Sequence, residues 1–134
     1  GVLRRVIERL AALGFTAKVG VELEFYLLAP DGSPIQEDIH AYSLENANSL
    51  EPLISDLADT LGAFTRLEGV ETEYGPGQVE TNLVYTDALA AADDAARLKY
   101  AAKEVARRHG WVLLSKPVNP ERLKTLAVAL MRGG

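Results

Sequence analysis

The most regular stretch of the chain alternates apolar and polar residues from position 18 to position 29, in the sequence KVGVELEFYLLA. Successive side chains of a β-strand point to opposite faces, so this alternation predicts a strand with one buried and one polar face. The buried face would carry five apolar residues: Val19, Val21, Leu23, Phe25 and Leu27. Glu22 and Glu24 lie on the other face, about 6–7 Å apart along the strand. The pattern therefore predicts a strand that presents two carboxylates on one side.

Apolar residues recur at helical spacing in residues 2–13, 49–61 and 86–109, which predicts three amphipathic helices. Ser49 is suited to cap the second of them, and Pro52 would then fall in the first turn, where proline is tolerated. The third helix is acidic at its start and basic at its end, as the helix dipole favours. These three segments account for most of the predicted helical structure.

The remaining segments predict strands, a long loop and a last helix. Residues 70–74 and 79–85 are short strands joined by Gly-Pro-Gly, and residues 111–118 form a strand apolar enough to lie inside a sheet. Turn-forming residues make 30–48 a loop, and an Asn-Pro pair begins a final helix over 119–132. The predicted class is α+β, with a mainly antiparallel sheet and helices packed on one face. Without repeats or linkers, residues 1–134 form one domain.

Composition and charge restrict the possible functions. The 134 residues are 48% hydrophobic, with no cysteine, and 14 basic against 19 acidic residues give a formal charge of -5. No basic stripe is visible, so a nucleic-acid partner is not expected. No apolar run reaches the ~20 residues that span a bilayer, and basic and apolar residues interleave at the start, unlike a signal peptide. We therefore expect a protein of the cytoplasm without a membrane partner.

The acidic residues concentrate in one short segment, ETEYGPGQVETN, which carries Glu71, Glu73 and Glu80 around the predicted turn. We expect an antiparallel pairing to place Glu80 beside Glu73. Two carboxylates ~4 Å apart repel each other by about 4 kcal/mol at an effective dielectric constant near 20. Two explanations remain open: the acids decorate a solvated hairpin, or a cation lies between them. Ligands that are all oxygen favour Mg²⁺ or Mn²⁺ over zinc or copper.

Three segments resemble one known family. VGVELEFYLL is similar to the G-x-E-x-E-F segment that opens the catalytic domain of glutamine synthetases. EYGPGQVETNLVYTDALAAADDAARLKYAAKEVARRHGW resembles the family's E-x-x-x-G-Q-x-E-x-N segment and the helix behind it, and LLSKPV its M-P-K-P strand. The resemblance runs from about Phe15 to Val118 and is nearest to the glutamine synthetase-like proteins that include γ-glutamyl-polyamine ligases.

The resemblance implies a reaction and a site. In the family, ATP phosphorylates the γ-carboxylate of glutamate, and ammonia or an amine displaces the phosphate with the help of Mg²⁺ or Mn²⁺. Carried over by motif, Glu24, Glu73 and Glu80 would hold a first metal ion and Glu22 would supply part of a second. Tyr85 matches the position of an aromatic residue near the adenine.

The departures from the family are as informative. Family members are several times longer, and the loop with two histidines that should follow Pro117 is replaced by a short amphipathic segment. The fold implied by the resemblance is a duplicated β-α-β-β-α unit of the glutamine synthetase/guanido kinase type. The chain matches one such unit, in about residues 15–118, with flanking helices and one extra strand. A truncation, a fragment and an engineered half would each give this pattern.

Two functions follow from this reading. The first is a partial ATP-dependent carboxylate–amine ligase that keeps the glutamate half of the metal site and has negligible turnover alone. The second is a non-catalytic half-domain that self-associates and at most binds a divalent cation. In either case an isolated unit leaves a sheet edge open, so we expect a homodimer in which a second copy replaces the missing repeat.

Overall fold

The computed structural model describes residues 1–36, 44–115 and 128–132. These residues form three helices and five strands. In chain order they are α1 (Val2–Ala12), β1 (Phe15–Leu28), α2 (Leu44–Gly62), β2 (Leu67–Thr72), β3 (Gln78–Asp87), α3 (Ala88–Arg108), β4 (Val112–Ser115) and β5 (Val128–Arg132).

The strands form one sheet built around β1. Its order is β2-β3-β1-β4, and β5 also pairs with β1. β4 pairs with the second half of β1, from Phe25 to Leu28, and β5 with its first part, from Phe15 to Val19. All of these pairings are antiparallel. The predicted antiparallel sheet is confirmed, and β1-α2-β2-β3-α3 is the predicted β-α-β-β-α unit.

The hydrophobic core lies between one face of the sheet and the helices α2 and α3. Its fully buried side chains come from all of these elements: Leu27, Leu53, Leu57, Leu61, Val79, Leu98 and Val105. Packing one apolar stripe of each helix on the apolar face of a sheet is the standard α+β arrangement. The α+β class predicted from the sequence is therefore confirmed.

The predicted alternation along β1 is present. Phe25 and Leu27 are buried against the helices, and Val21 and Leu23 pack against the same core. Glu22 and Glu24 are exposed on the opposite face, away from α2 and α3. The strand therefore carries its carboxylates on the side of the sheet that α2 and α3 leave open.

The Gly-Pro-Gly turn between β2 and β3 packs closely against β1. Gly77 has a φ of 68°, in the left-handed region that favours glycine. Its carbonyl accepts a hydrogen bond of 2.8 Å from the Leu27 amide. A Cβ at Gly75 would lie 2.6 Å from the ring of Tyr26, and one at Gly77 would lie 2.8 Å from the Leu27 carbonyl. The two glycines therefore allow the turn to contact the central strand.

The helix α2 begins earlier than predicted. It starts at Leu44, so Ser49 lies inside the helix and does not cap it, and Pro52 also lies in the interior. The Gln36 side-chain amide donates a hydrogen bond of 2.8 Å to the Ser49 hydroxyl. Of the predicted loop over 30–48, residues 37–43 lie outside the described part. The prediction placed the start of the helix at Ser49 because serine is a common cap, whereas the helix already includes this residue.

Two predictions about the end of the chain differ from the structure. β4 is an edge of the described sheet, and Val112 and Leu114 are half exposed instead of buried inside it. Residues 128–132 of the predicted final helix form the strand β5, which pairs with β1. Residues 116–127, which include the rest of that helix, lie outside the described part. A run of four apolar residues fits either a helix or a strand, and here pairing with a distant strand decided between them.

The first helix, α1, contributes little to the core. It has no buried residue, and Val2 and Val6 are 69% and 56% exposed. Across residues 1–36, 44–115 and 128–132, none of the helices has the length and apolarity that crossing a bilayer requires.

Candidate metal centre

A row of carboxylates crosses the open face of the sheet. Glu80 on β3 lies directly opposite Glu24 on β1 and directly opposite Glu71 on β2. Residues directly opposite each other in an antiparallel pair share a face, with their Cβ atoms about 4.5–5.5 Å apart. Strand pairing therefore places three glutamates, from three different strands, side by side.

Glu73 and Glu22 extend this row in two directions. Glu73 follows the end of β2, and its backbone N–H donates a hydrogen bond of 2.9 Å to the Gln78 carbonyl. Glu22 is opposite Asn82, two residues further along the same face. The sequence reasoning expected Glu73 beside Glu80, but the direct partner of Glu80 is Glu71. The hydrogen bond between Glu73 and Gln78 fits this register, because it puts Glu73 opposite Gln78, two pairs nearer to the turn than the pair of Glu71 and Glu80.

Glu80 is the electrostatic centre of the group. Burial raises the pKa of its carboxyl above the ordinary value of 4.5, and a hydrogen bond to Asn82 partly opposes this rise. The negative charges of Glu73, Glu22 and Glu24 raise the pKa of Glu80 further. Each of the four glutamates proposed as metal ligands thus belongs to one interacting group, with Glu80 in the middle.

Glu24 has a defined hydrogen-bond partner. The side-chain amide of Gln78 donates a hydrogen bond of 2.6 Å to Glu24 Oε2. Gln78 Oε1 accepts a hydrogen bond of 3.0 Å from the backbone N–H of Gly75, in the turn. Gln78 is only 5% exposed, so its amide lies beneath the surface between the turn and the carboxylate.

A cavity of about 540 Å³ opens beside the carboxylates, at the end of the sheet where β1 begins. Lys18, Gly20 and Glu22 of β1 line one side, and the other sides come from β2 and β3. Tyr85 stands on its wall with 69% of its surface exposed. The Oδ1 atom of Asn82, which also lines the cavity, is buried and has no hydrogen-bond partner in the described structure. The cavity therefore combines an accessible aromatic ring with polar groups next to the acidic row.

The chemistry of the donors fits a hard divalent cation. All four candidate side chains supply carboxylate oxygens, which Mg²⁺ and Mn²⁺ prefer, and their mutual repulsion at Glu80 would be relieved by a positive charge. In the described part of the chain, however, no three acidic or histidine side chains converge closely enough to enclose an ion. The carboxylates share a face and interact, but binding requires their side chains to turn toward a common point.

Sequence reasoning missed the two amide residues of this site, Gln78 and Asn82. Both lie an even number of residues from Glu80, on the strand that follows the turn. The same alternation that placed Glu22 and Glu24 together predicts that Gln78 and Asn82 share the face of Glu80. The alternation along this strand was enough to predict both residues, but the candidate residues were chosen among charged and aromatic side chains.

Comparison with known proteins agrees with this geometry. The family profile described as "Glutamine synthetase, catalytic domain" matches residues 1–121. The chain belongs to the glutamine synthetase family. Both glutamate-bearing segments of the site fall inside the matched range, so the acidic row is built from parts of the chain that the family profile recognises.

Individual members of the family are similar over most of this chain. Glutamate–isopropylamine ligase of Pseudomonas sp. is 34% identical over an alignment of 130 residues, which covers 87% of this chain and 28% of the ligase. Glutamine synthetase of Pyrococcus abyssi is 36% identical over an alignment of 126 residues, which covers 88% of this chain and 28% of that enzyme. The solved GmaS/ADP complex superimposes with a TM-score of 0.75 at 32% identity, over 83% of this chain and 27% of GmaS. The chain thus spans less than a third of the length of these relatives.

Proposed function

We propose that this chain is the part of a glutamine synthetase-type, ATP-dependent carboxylate–amine ligase that binds the divalent metal ion and one side of the nucleotide. The single observation that carries the proposal is the meeting of Glu24 and Glu80 in one register pair, with Glu73 and Glu22 near enough to act on Glu80. The names of two relatives, a glutamate–amine ligase and a glutamine synthetase, support the reaction class.

In this proposal Glu24, Glu73 and Glu80 hold a first Mg²⁺ or Mn²⁺ ion, and Glu22 supplies part of a second. The ions supply positive charge that neutralises phosphoryl oxygens during the transfer from ATP to the γ-carboxylate of glutamate. The chain itself contributes a rigid sheet that holds the carboxylates. Strand pairing fixes the backbone of the glutamates on β1 and β3, and Glu73 follows directly after the paired strand β2.

The cavity beside the acidic row would take the nucleotide. Tyr85 offers an exposed ring for stacking on a base, and Gly20 lines the same cavity. The ADP complex of GmaS shows that a relative of similar fold binds this class of ligand. Glu22 lines the cavity and its charge also acts on Glu80, so it connects the cavity to the acidic row.

Calorimetric titration with Mn²⁺ tests the metal site. We expect the unsubstituted chain to bind Mn²⁺ and Glu24→Ala to bind at least tenfold more weakly, since it removes one of a small set of charged ligands. Glu51→Ala is the matched control, because it removes an exposed carboxylate from α2, on the other side of the sheet. Equal binding by all three chains, or no binding by any of them, would refute the metal site.

Turnover by this chain alone is expected to be negligible. The loop with the paired histidines and the phosphate-binding arginines that the family resemblance implies have no counterpart in the sequence after Pro117. Release of phosphate in the presence of ATP, glutamate and an amine should therefore stay at the level of the buffer. Release that depends on glutamate and disappears in Glu73→Ala would show that the chain is a complete enzyme.

A second candidate is a self-associating half-domain in which another copy covers the exposed edge of the sheet. β4 supports it, because this edge of the described sheet has no charged residue and Val112 and Leu114 are 48% and 52% exposed. An edge of that kind is a template for pairing with a second chain. The proposed homodimer would give a doubled mass in multi-angle light scattering, and a monomer at high concentration would refute it. The cytoplasmic location and the absence of a nucleic-acid partner remain predictions.

A further inference from the structure

The buried amide of Gln78 joins the turn to the acidic row. Its two polar atoms each make one contact: Nε2 with Glu24 and Oε1 with Gly75. The Gly75 backbone approaches so closely that a Cβ there would lie 2.6 Å from Gln78 Oε1. Gln78 thus connects a conformationally restricted turn to one of the proposed metal ligands.

The orientation of this amide is determined by chemistry. The oxygen and nitrogen of a glutamine side chain are often assigned only from their surroundings. Here the partner on one side is the Gly75 N–H group, which only donates, so the atom facing it must be the oxygen. The NH₂ group is then directed at Glu24, and an ionised carboxylate only accepts. The pair Gly75 and Glu24 is compatible with a single orientation of Gln78.

We propose that Gln78 is a positioning residue that holds the Glu24 carboxylate in place for the metal ion. The inference rests on the proposed function, because it gives Glu24 its role as a ligand. Hydrogen bonds to an ionised group are shorter and stronger than neutral ones, and the 2.6 Å contact is of this kind. The contact with Gln78 fixes one oxygen of Glu24 and thereby the orientation of the whole carboxylate.

The first test compares the Mn²⁺ affinities of two variants. Each variant loses the hydrogen-bonding group of one buried side chain, within two residues of Glu80 in the sequence. Gln78→Met keeps the length of the side chain but removes both contacts. Thr81→Val removes the 3.1 Å hydrogen bond from the Thr81 hydroxyl to the Leu23 carbonyl, on the core face. We expect Gln78→Met to weaken Mn²⁺ binding about tenfold, as loss of a group that orients a ligand does. Thr81→Val should bind within a factor of two of the unsubstituted chain, measured by the free Mn²⁺ signal in electron paramagnetic resonance.

The second test needs no metal. The side-chain NH₂ of Gln78 gives its own pair of resonances in a ¹H–¹⁵N spectrum, and the proton bonded to Glu24 should be shifted downfield. We expect Glu24→Ala to move that proton upfield and Glu22→Ala, one step along the same face, to leave it in place. A proton unaffected by Glu24→Ala would overturn the inference.

The two tests separate the inference from the proposed function. If the unsubstituted chain binds no Mn²⁺, the proposed function fails, and the resonance of Gln78 alone decides whether it holds Glu24. If the chain binds Mn²⁺ and folded Gln78→Met binds it equally well, the proposed function stands and the positioning role is refuted. Weaker binding by Gln78→Met together with unchanged binding by Thr81→Val supports both.

Discussion

At the scale of single residues, the strongest feature is a carboxyl group held where its charge is unfavourable. Glu80 is partly buried and has the charges of Glu73, Glu22 and Glu24 around it. Folding therefore favours its protonated form, and ionising it in the metal-free chain costs stability. A protein retains such an arrangement more readily when a cation compensates for it, which connects the energetics of this residue to the proposed metal site.

Replacing Glu80 by glutamine should stabilise the metal-free chain in a pH-dependent way. The folded-state pKa of Glu80 lies above its ordinary value of 4.5, so the associated stability is present below that pH and is lost as the pH rises through the folded-state pKa. We expect Glu80→Gln to have a higher Tm than the unsubstituted chain at neutral pH with a chelator present, and the same Tm in acid, where both side chains are neutral. Circular dichroism melts at several pH values measure this, and Glu51→Gln is the control. An equal gain at every pH would contradict the explanation.

The glycine at the end of the turn should be intolerant of a side chain. Gly77→Ala places a Cβ 2.8 Å from the Leu27 carbonyl and also forces alanine to adopt a φ of 68°. The backbone conformation alone costs about 1 kcal/mol, and the contact with the backbone raises the loss of unfolding free energy to about 2–3 kcal/mol. Gly32→Ala is a matched control, because Gly32 has a φ of 87° and open space around it. Urea unfolding should give a larger loss for Gly77→Ala, and equal losses would show that the turn does not pack against β1.

At the scale of elements, the local sequence pattern predicted which face of a strand each side chain occupies. It did not predict the elements whose structure depends on pairing with a distant strand. The faces of β1 followed from its period of two, and with them the placement of Glu22 and Glu24 opposite the core. The strand β5 did not follow from the sequence, because VALMR has no local feature that distinguishes a strand from a helix. Only its pairing with Phe15–Val19 makes it a strand. The register between β2 and β3 was likewise set by the turn. A site assembled from several strands is therefore predictable in its faces but not in its exact neighbours.

The contact between α3 and the start of β2 gives a prediction at this scale. Asp94 on α3 is 2% exposed, with Arg66 Nη2 2.7 Å from one oxygen and Arg97 Nη1 3.1 Å from the other. The Arg97 contact is a hydrogen bond as well as an ion pair, whereas the Arg66 contact is an ion pair only. Asp94→Asn keeps the shape but leaves both arginines without their anion. The two arginines are about half exposed, so water can solvate their charges and compensate for part of the lost attraction. We therefore expect a decrease of about 2 kcal/mol in unfolding free energy.

The neighbouring residue provides the control for Asp94. Asp93 is exposed on the same turn of α3, so Asp93→Asn should change the unfolding free energy by less than about 0.5 kcal/mol. Both variants remove one negative charge from the same part of the helix. Equal effects in chemical denaturation would mean that the net charge of α3 matters and the buried ion pair does not.

At the scale of the whole molecule, the two faces of the sheet differ. The helices α2 and α3 close the core on one face, whereas the acidic row and the cavity lie on the face that these two helices leave uncovered. The chain corresponds to less than a third of its relatives, yet it contains one whole β-α-β-β-α unit with its own core. Because the core lies on the other face of the sheet, we expect substitutions of the acidic row to alter metal binding more than stability, except at Glu80, whose charge opposes folding at neutral pH.

The open edge at β4 gives a last prediction, which concerns association. If a second copy covers this edge, Leu114→Lys should shift the population from dimer to monomer, because lysine on an exposed edge strand opposes pairing between chains. Val84→Lys is the comparison, since Val84 is 41% exposed on β3, an inner strand whose edges are already paired. Sedimentation velocity over a range of concentrations should show weaker association for Leu114→Lys and unchanged association for Val84→Lys. A similar weakening in both would indicate unspecific attraction between apolar surfaces, and an unchanged dimer in Leu114→Lys would place the interface elsewhere.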